Sequence, residues 1–322
     1  MSDIVWGSIG CGDVMEIKSG PAFQNVPGSG LGAVMRRNIE LAKDFAMRHG
    51  VPKWYGNAQE LVDDPEINAV YIATPPDSHL QYTILAAEAG KPIYVEKPMA
   101  NSFAECQEMI QVCQSNQVPL FVAYYRRALP RYLKVKEIIE SGRLGSIHEV
   151  KVNLLHPAKS GDIAGKYNWR VIPEIAGCGY FCDLGSHIFD LLQYLLGPIK
   201  MAKGMVSNTG AHYAAEDTVE VDFQFDNLIN GKAYFNFNSN TFIDKTEIIG
   251  TNGSISYSHF HGDMVELSED SSIQRFEMPN PRHIQQDLIQ LIVDELKGLG
   301  HCPSTGETGA ETNRILDQIL GY

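Results

Sequence analysis

The sequence predicts an α/β chain in two domains: a doubly wound parallel sheet over residues 1–124, then an α+β domain with a large, mostly antiparallel, open-faced sheet over 125–322. Three observations carry that expectation. Apolar strand-like runs alternate with helix-patterned segments through the first 125 residues, and such alternation dictates a parallel sheet. From Ser146 onward the texture changes to closely spaced runs of period-two alternation, separated by turn signals such as Asp226-Asn227 and Asn252-Gly253. A chain of 322 residues also exceeds what one hydrophobic core usually serves.

The first strand is Ile4 to Ile9, followed by Gly10-Cys11-Gly12-Asp13-Val14-Met15 and a helical stretch interrupted at Gly20-Pro21. A strand, a Gly-x-Gly turn and a helix in that order make a dinucleotide-binding turn. Its first glycine permits the tight turn, and its second lets the backbone approach a pyrophosphate at the helix's positive end. The third glycine of such turns is here Met15, which should open the helix–strand packing slightly. Gly30 to Met35 is the second strand. An NAD-preferring site places a carboxylate at its end, but this chain has Arg36-Arg37-Asn38. Two guanidinium groups suit a 2′-phosphate, which favours NADP(H) over NAD(H). A solvated basic edge is the competing reading of that pair.

A helix over 39–49 is expected next, with Asn38 as its cap and Gly50 as its stop. Ala69 to Ala73 is a buried strand ending in Thr74-Pro75-Pro76-Asp77-Ser78-His79, and Thr74 and Pro75 point to the ligand crevice. His79 opens the helix over 78–89 and is expected to make a cofactor-side contact at best. Pro92-Ile93-Tyr94-Val95-Glu96-Lys97-Pro98 reads as a strand covered on both faces. Lys97 then stands at its carboxyl end, where open α/β sheets bind ligands, and is expected to do proton chemistry. Ser102 and Glu105 form a capping box for the helix bearing Cys106 and Cys113. Pro119 to Ala123 closes the sheet, and Tyr124-Tyr125-Arg126-Arg127 marks the exit.

In the second half a helix over 130–141 precedes strands at 148–155, 201–207, 218–225, 231–238, 245–250 and 254–258. Helices cover one sheet face; the other is the expected contact of a homodimer or homotetramer. Tyr167-Asn168-Trp169-Arg170 is an aromatic–cationic cluster on a loop. It suits a cofactor ring or a sugar hydroxyl, and equally an ordinary tryptophan anchor. The run Gly177 to Asp190, continuing to Leu196, is read as a helix. Leu184, Ile188, Leu191 and Leu195 form its apolar stripe, and Asp183, His187, Asp190 and Tyr194 a polar one. An imidazole framed by two carboxylates is a competent acid or base near neutral pH. A solvated face or a metal site are the alternatives; His259 and His261 are further metal ligands only in principle, and no metal is expected.

A formal net charge of −13 argues against nucleic acid or an anionic membrane as partner. No apolar run is long enough for a membrane span. The early first strand leaves no room for a signal peptide, and six cysteines without a Cys-x-x-Cys pair are all read as reduced, which suggests the cytoplasm.

Taken together, Gly10-Cys11-Gly12, Ala73-Thr74-Pro75, Glu96-Lys97-Pro98, Trp169-Arg170 and the Gly179, Asp183, Gly185, His187, Asp190 pattern resemble the glucose–fructose oxidoreductase / inositol dehydrogenase family across essentially the whole chain. That resemblance implies a Rossmann domain followed by an open-faced α+β domain. It further implies oxidation of a sugar or polyol carbinol, or reduction of the ketone, with Lys97, Asp183 and His187 as catalytic residues. Cofactor contacts are then expected from Gly10, Cys11, Gly12, Asp13, Val14, Arg36, Arg37, Thr74, Pro75, His79, Glu96, Lys97, Tyr125, Trp169 and Arg170. Substrate contacts are expected from Lys97, Tyr124, Tyr167, Arg170, Asp183 and His187. Two other readings share these motifs: an NAD-dependent glycoside hydrolase of the same fold, and a non-catalytic NAD(P)-binding sensor.

Overall fold

The computed structural model describes residues 3–270 and 272–322, which fall into two compact units. The first comprises the chain up to Tyr125 together with Pro281–Glu311; the second is Arg126–Asn280 with Thr312–Tyr322. Pro281–Glu311 thus returns to the first unit, where the sequence predicts one uninterrupted second domain over 125–322. The reason is an apolar stripe: Leu288, Ile289, Ile292 and Val293 on the helix Gln286–Leu296 are all buried. Beyond that helix, the backbone of Ser304 accepts from Val122 and Thr305 bridges to Phe121.

Six parallel strands build the first unit: β1 (Ile4–Ile9), β2 (Ser29–Met35), β3 (Lys53–Tyr55), β4 (Ala69–Ile72), β5 (Ile93–Val95) and β6 (Leu120–Val122). Their order is β3-β2-β1-β4-β5-β6, so the strand order reverses beside β1, where doubly wound folds bind dinucleotides. Every residue of β4 and β5 is buried, as a strand covered on both faces requires. Asn38 caps the helix Ile39–His49 by accepting from Glu40 and Leu41, and Gly50 ends it in the left-handed conformation. Ser102 accepts from the backbone of Glu105 at the start of Phe103–Ser115.

The second unit is an eight-stranded sheet: β7 (Ile147–Leu155), β8 (Ile199–Ser207), β9 (Thr218–Phe225), β10 (Asn230–Asn236), β11 (Ile243–Gly250), β12 (Gly253–Tyr257), β13 (Met264–Glu269) and β14 (Ser272–Glu277). Its order is β14-β13-β12-β11-β7-β10-β9-β8; β7 and β10 run parallel and the other neighbours antiparallel. One face is apolar and buried, with Val150, Val152 and Leu154 on β7 and Val219, Val221 and Phe223 on β9. The alternate positions Lys151, Asp222 and Lys232 are exposed, so the second face is open within the protomer. The helix Ser186–Leu196 covers the apolar face through Phe189, whose ring meets those of Phe223 and Phe235. β13 and β14 lie beyond the expected strands. β14 has no buried position to give it an apolar rhythm, being an edge strand.

Candidate functional site

In the first unit the strand registers bring separate motifs to one sheet edge. Ile9 pairs with Ile72 and Ile72 with Val95, so Gly10, Ala73 and Glu96 leave the sheet at one level. Gly10 has φ +96°, and a Cβ there would come within 2.8 Å of the Ala73 carbonyl oxygen. Only glycine allows that close crossing of two chains. A Cβ on Gly12 would meet nothing within 4 Å, which leaves the backbone open to a ligand. Asp13 and Val14 begin the short helix Asp13–Ile17 that follows. Met15, in place of the third glycine, is fully buried, and the chain turns sharply there: Gly20 lies so close to the Met15 carbonyl that a Cβ would collide with it. Burial pushes the Cys11 thiol up to about 11, and the charge of nearby Arg36 acts against that shift. Arg36 and Arg37 are exposed and follow β2 directly.

Thr74 accepts from the Ser78 hydroxyl at 2.8 Å, with Pro75 between them in the turn before His79. His79 is buried, with Nδ1 3.1 Å from the carbonyl oxygens of both Pro98 and Met99 and Nε2 2.9 Å from that of Thr74. Burial pushes its imidazole below the usual histidine range. It ties the β4 exit to the β5 exit. Lys97 precedes a cis peptide to Pro98 and is half-buried. Beneath it Glu96 accepts from Tyr71 Oη at 2.5 Å and Gln285 Nε2 at 2.7 Å, and Tyr94 Oη donates to Gln285 Oε1 at 2.9 Å. Tyr124 and Tyr125, just past β6, are buried.

In the second unit, Gly179 and Gly185 explain the glycine spacing around Asp183. A Cβ on Gly179 would approach Ala215 Cβ to 2.9 Å, and one on Gly185 would press on the Phe181 ring. Phe181–Gly185 forms a turn of π-helix, and the α-helix begins only at Ser186. The wider turn breaks the single polar stripe that an α-helix through Asp183, His187 and Asp190 would make. Asp183 instead accepts from Arg170 Nε at 3.1 Å, and the Arg170 guanidinium lies 4.4 Å from the Trp169 ring. His187 is buried, with its ring edge-on to Phe260. Asp190 is fully buried and takes a two-pronged ion pair from Arg127, 3.0 Å to Nε and 2.7 Å to Nη2. Tyr194 packs under Lys136 and Arg127. Tyr167 is exposed.

The sequence predicts six reduced cysteines, but only Cys11, Cys106, Cys113 and Cys302 are free; the other two are bonded. Cys178, in the bend before the π turn, and Cys182, within it, form a disulfide with their Cα atoms 5.4 Å apart. Among the described residues no group of three or more His, Cys, Asp or Glu is placed to hold a metal, and no helix is long and apolar enough to cross a membrane.

Residues 4–124 match the model of the oxidoreductase family with an NAD-binding Rossmann fold, and residues 132–256 match the GFO/IDH/MocA C-terminal domain. An oxidoreductase of Formosa agariphila is 38% identical over 321 residues, 99% of either chain. The chain belongs to the Gfo/Idh/MocA oxidoreductase family. A levoglucosan dehydrogenase of Pseudarthrobacter phenanthrenivorans is 33% identical over 174 residues, covering 54% of this chain and 44% of that one. A solved structure of levoglucosan dehydrogenase with NADH and levoglucosan superposes with a TM-score of 0.87 at 25% identity, over 99% of this chain and 97% of that one. This Gfo/Idh/MocA protein is therefore an oxidoreductase, with its NAD-binding Rossmann fold in the first unit.

The residues present fit such a cofactor. The open backbone at Gly12 and the crossing at Gly10 suit a pyrophosphate, and Thr74, Pro75 and Lys97 share that sheet edge. Sequence reasoning missed Gln285, which lies far along the chain from the Glu96 it supports and carries no local signal. It also missed the Arg127–Asp190 pair, although both residues stood in segments it singled out.

Proposed function

We propose that this oxidoreductase moves hydride between a nicotinamide, NADP(H) in preference to NAD(H), and a carbinol or carbonyl carbon of a sugar or polyol. Lys97, Asp183 and His187 handle the hydroxyl proton. The observation that carries this reading is the position of Lys97, at the same strand-end level as the glycine turn and anchored through Glu96 by Tyr71 and Gln285.

The nicotinamide, when bound, supplies the hydride acceptor. As the carbonyl forms, the substrate hydroxyl must lose its proton, and an ammonium at Lys97 stabilises the developing negative charge on that oxygen. His187 and Lys97 are the candidate proton acceptors. Asp183, held by Arg170, positions the hydroxyl. Support for a sugar comes from the levoglucosan dehydrogenase relatives, and support for NADP(H) from Arg36 and Arg37 standing where an NAD site carries a carboxylate. The open polar face of the eight-stranded sheet, with Met201 and Met205 exposed on edge strand β8, supports a homodimer or homotetramer formed there. The buried thiols of Cys11 and Cys113 support a cytoplasmic location, whereas the Cys178–Cys182 bond does not.

The test is Lys97→Met. Single-turnover hydride transfer should fall by at least about a thousandfold while cofactor affinity stays within about threefold, as expected for a group acting in the transition state. Unimpaired turnover would remove Lys97 from the chemistry.

A further inference from the structure

Asp244 stands near the start of β11 and is buried. Its carboxylate accepts from three successive backbone N–H groups in the loop between β12 and β13: His259 at 2.9 Å, Phe260 at 2.8 Å and His261 at 3.0 Å. Consecutive amides that converge on one anion make a nest, and bonds to a charged acceptor are the stronger kind. The same loop is held from its carbonyl side. The His259 carbonyl accepts from Tyr132 Oη at 2.7 Å and from Arg126 Nε at 3.1 Å, and that of Ser258 accepts from Arg131 Nη1 at 2.8 Å.

A short connection between two antiparallel strands needs only a turn, so this one is held beyond what the chain reversal demands. Two of its side chains add to the hold. Ser258 Oγ donates to the Asp244 carbonyl at 2.7 Å, and His259 Nε2 lies 2.8 Å from Thr246 Oγ1. Burial pushes the His259 imidazole down to about 3, so it is neutral near pH 7 and serves as an anchor. The Phe260 side chain is used otherwise. Its half-buried ring has the Arg126 guanidinium 4.5 Å from its centre and meets the His187 ring edge-on, the two centres 6.3 Å apart. Arg126 therefore fixes both the backbone of the loop and the ring it carries, and an edge-on pair at that distance is a preferred aromatic geometry.

We propose that Phe260 is a positioning residue for His187: the Asp244 nest and Arg126 fix the phenyl ring, and the ring sets the tilt of the imidazole that exchanges the substrate's hydroxyl proton. This rests on the reading of His187 as a proton-transfer group and adds the device that aims it. An acid or base must stand within hydrogen-bond reach of the proton it moves, and a misplacement of about 1 Å can cost about a hundredfold in rate. A loop with a structural role alone would need bulk at Phe260, which leucine also supplies.

The test compares the full chain, carrying nitrogen-15 histidine, as wild type, Phe260→Leu, Phe260→Tyr and Asp244→Asn, with His187→Gln to assign the His187 signals by NMR. An imidazole held in one orientation keeps one tautomer, because the bond made by one ring nitrogen sets the state of the other. In Phe260→Leu the two ring-nitrogen shifts of His187 should move toward a single averaged value, and in Phe260→Tyr they should stay where the wild type has them. Asp244→Asn, where it folds, should give the leucine pattern and faster exchange of the His259, Phe260 and His261 amides. A parallel assay follows NADP+ reduction by levoglucosan, glucose and myo-inositol. There kcat of Phe260→Leu should fall about ten- to a hundredfold with KM within about threefold, and Phe260→Tyr should restore it. Unmoved His187 signals in Phe260→Leu overturn the proposal, as does full kcat in that variant when His187→Gln has lost turnover. Full turnover in His187→Gln, or no NADP+ reduction by the wild type with any of the three sugars, removes the proton-transfer reading instead, and the NMR result alone then decides the contact.

Discussion

Gln285 donates to the Glu96 carboxylate across 2.7 Å although 189 residues separate them. The same amide accepts from Tyr94 Oη, and Tyr71 completes the network from β4. Burial raises the Tyr71 and Tyr94 hydroxyls well above the usual phenol range, so both remain donors. Glu96 is thus held from two strands and from the C-terminal segment, and Lys97 leaves the sheet from a fixed base.

Replacing Gln285 with leucine removes two of these bonds and leaves the Tyr94 hydroxyl buried without its acceptor. The expected cost is about 2–3 kcal/mol. It should appear as a lower thermal midpoint and as faster amide exchange in β4 and β5. Wild-type stability in this variant would show that the network is not holding the β5 exit.

Much of the first unit was legible because its signals are local. Asn38 and Ser102 cap the helices that their spacing predicts, and the apolar runs of β4 and β5 announce strands buried on both sides. What escaped depends on contacts between distant positions. The return of Pro281–Glu311 to the first unit is set by tertiary packing. The π turn at Phe181–Gly185 changes the side-chain register of a segment whose spacing reads as α-helix, and with it the partners of Asp183 and Asp190. The Cys178–Cys182 bond joins the bend before that turn to the turn itself, and no Cys-x-x-Cys spacing announces it. The neighbouring rings of His156 and His261 come from the β7 exit and the loop after β12, which no periodicity joins.

The buried Arg127–Asp190 pair yields a two-part expectation. Asp190→Asn removes the buried carboxylate that pairs with the Arg127 guanidinium and should destabilise the second unit by about 3–5 kcal/mol. Arg127→Met combined with Asp190→Leu removes both charges and should recover most of that loss. Urea denaturation followed by near-ultraviolet circular dichroism measures both. A double variant no more stable than the single one would mean that the pair does more than neutralise itself.

Asp217 gives a pH expectation. Burial alone would raise its pKa, but the backbone N–H groups of Thr209 and Gly210 and the hydroxyls of Thr218 and Thr209 outweigh burial and hold it below the ordinary value of 3.8. A folded-state pKa depressed in this way stabilises the fold above the unfolded pKa, and the contribution is lost as pH falls through the folded one. Wild-type stability should therefore decline as pH drops below about 4. Asp217→Asn should flatten that decline, read from denaturation midpoints over an acid pH series. An unchanged acid slope in the variant would assign the decline to other carboxylates.

Arg36 and Arg37 give the sharpest cofactor expectation. A 2′-phosphate beside two guanidinium groups gains charge-assisted, two-pronged hydrogen bonds that a 2′-hydroxyl cannot form. Arg36 also lies close enough to the glycine turn for its charge to act on the Cys11 thiol. Arg36→Glu reverses the sign of the charge at that point, repelling a phosphate and offering ribose hydroxyls an acceptor. The ratio of kcat/KM with NADP+ to that with NAD+ should fall on the order of a hundredfold, about 2.7 kcal/mol. Since Arg36 is exposed, the fold should tolerate the change, and thermal unfolding checks it. A ratio that stays put would mean that the basic pair is a solvated edge and that cofactor choice is made elsewhere along the crevice.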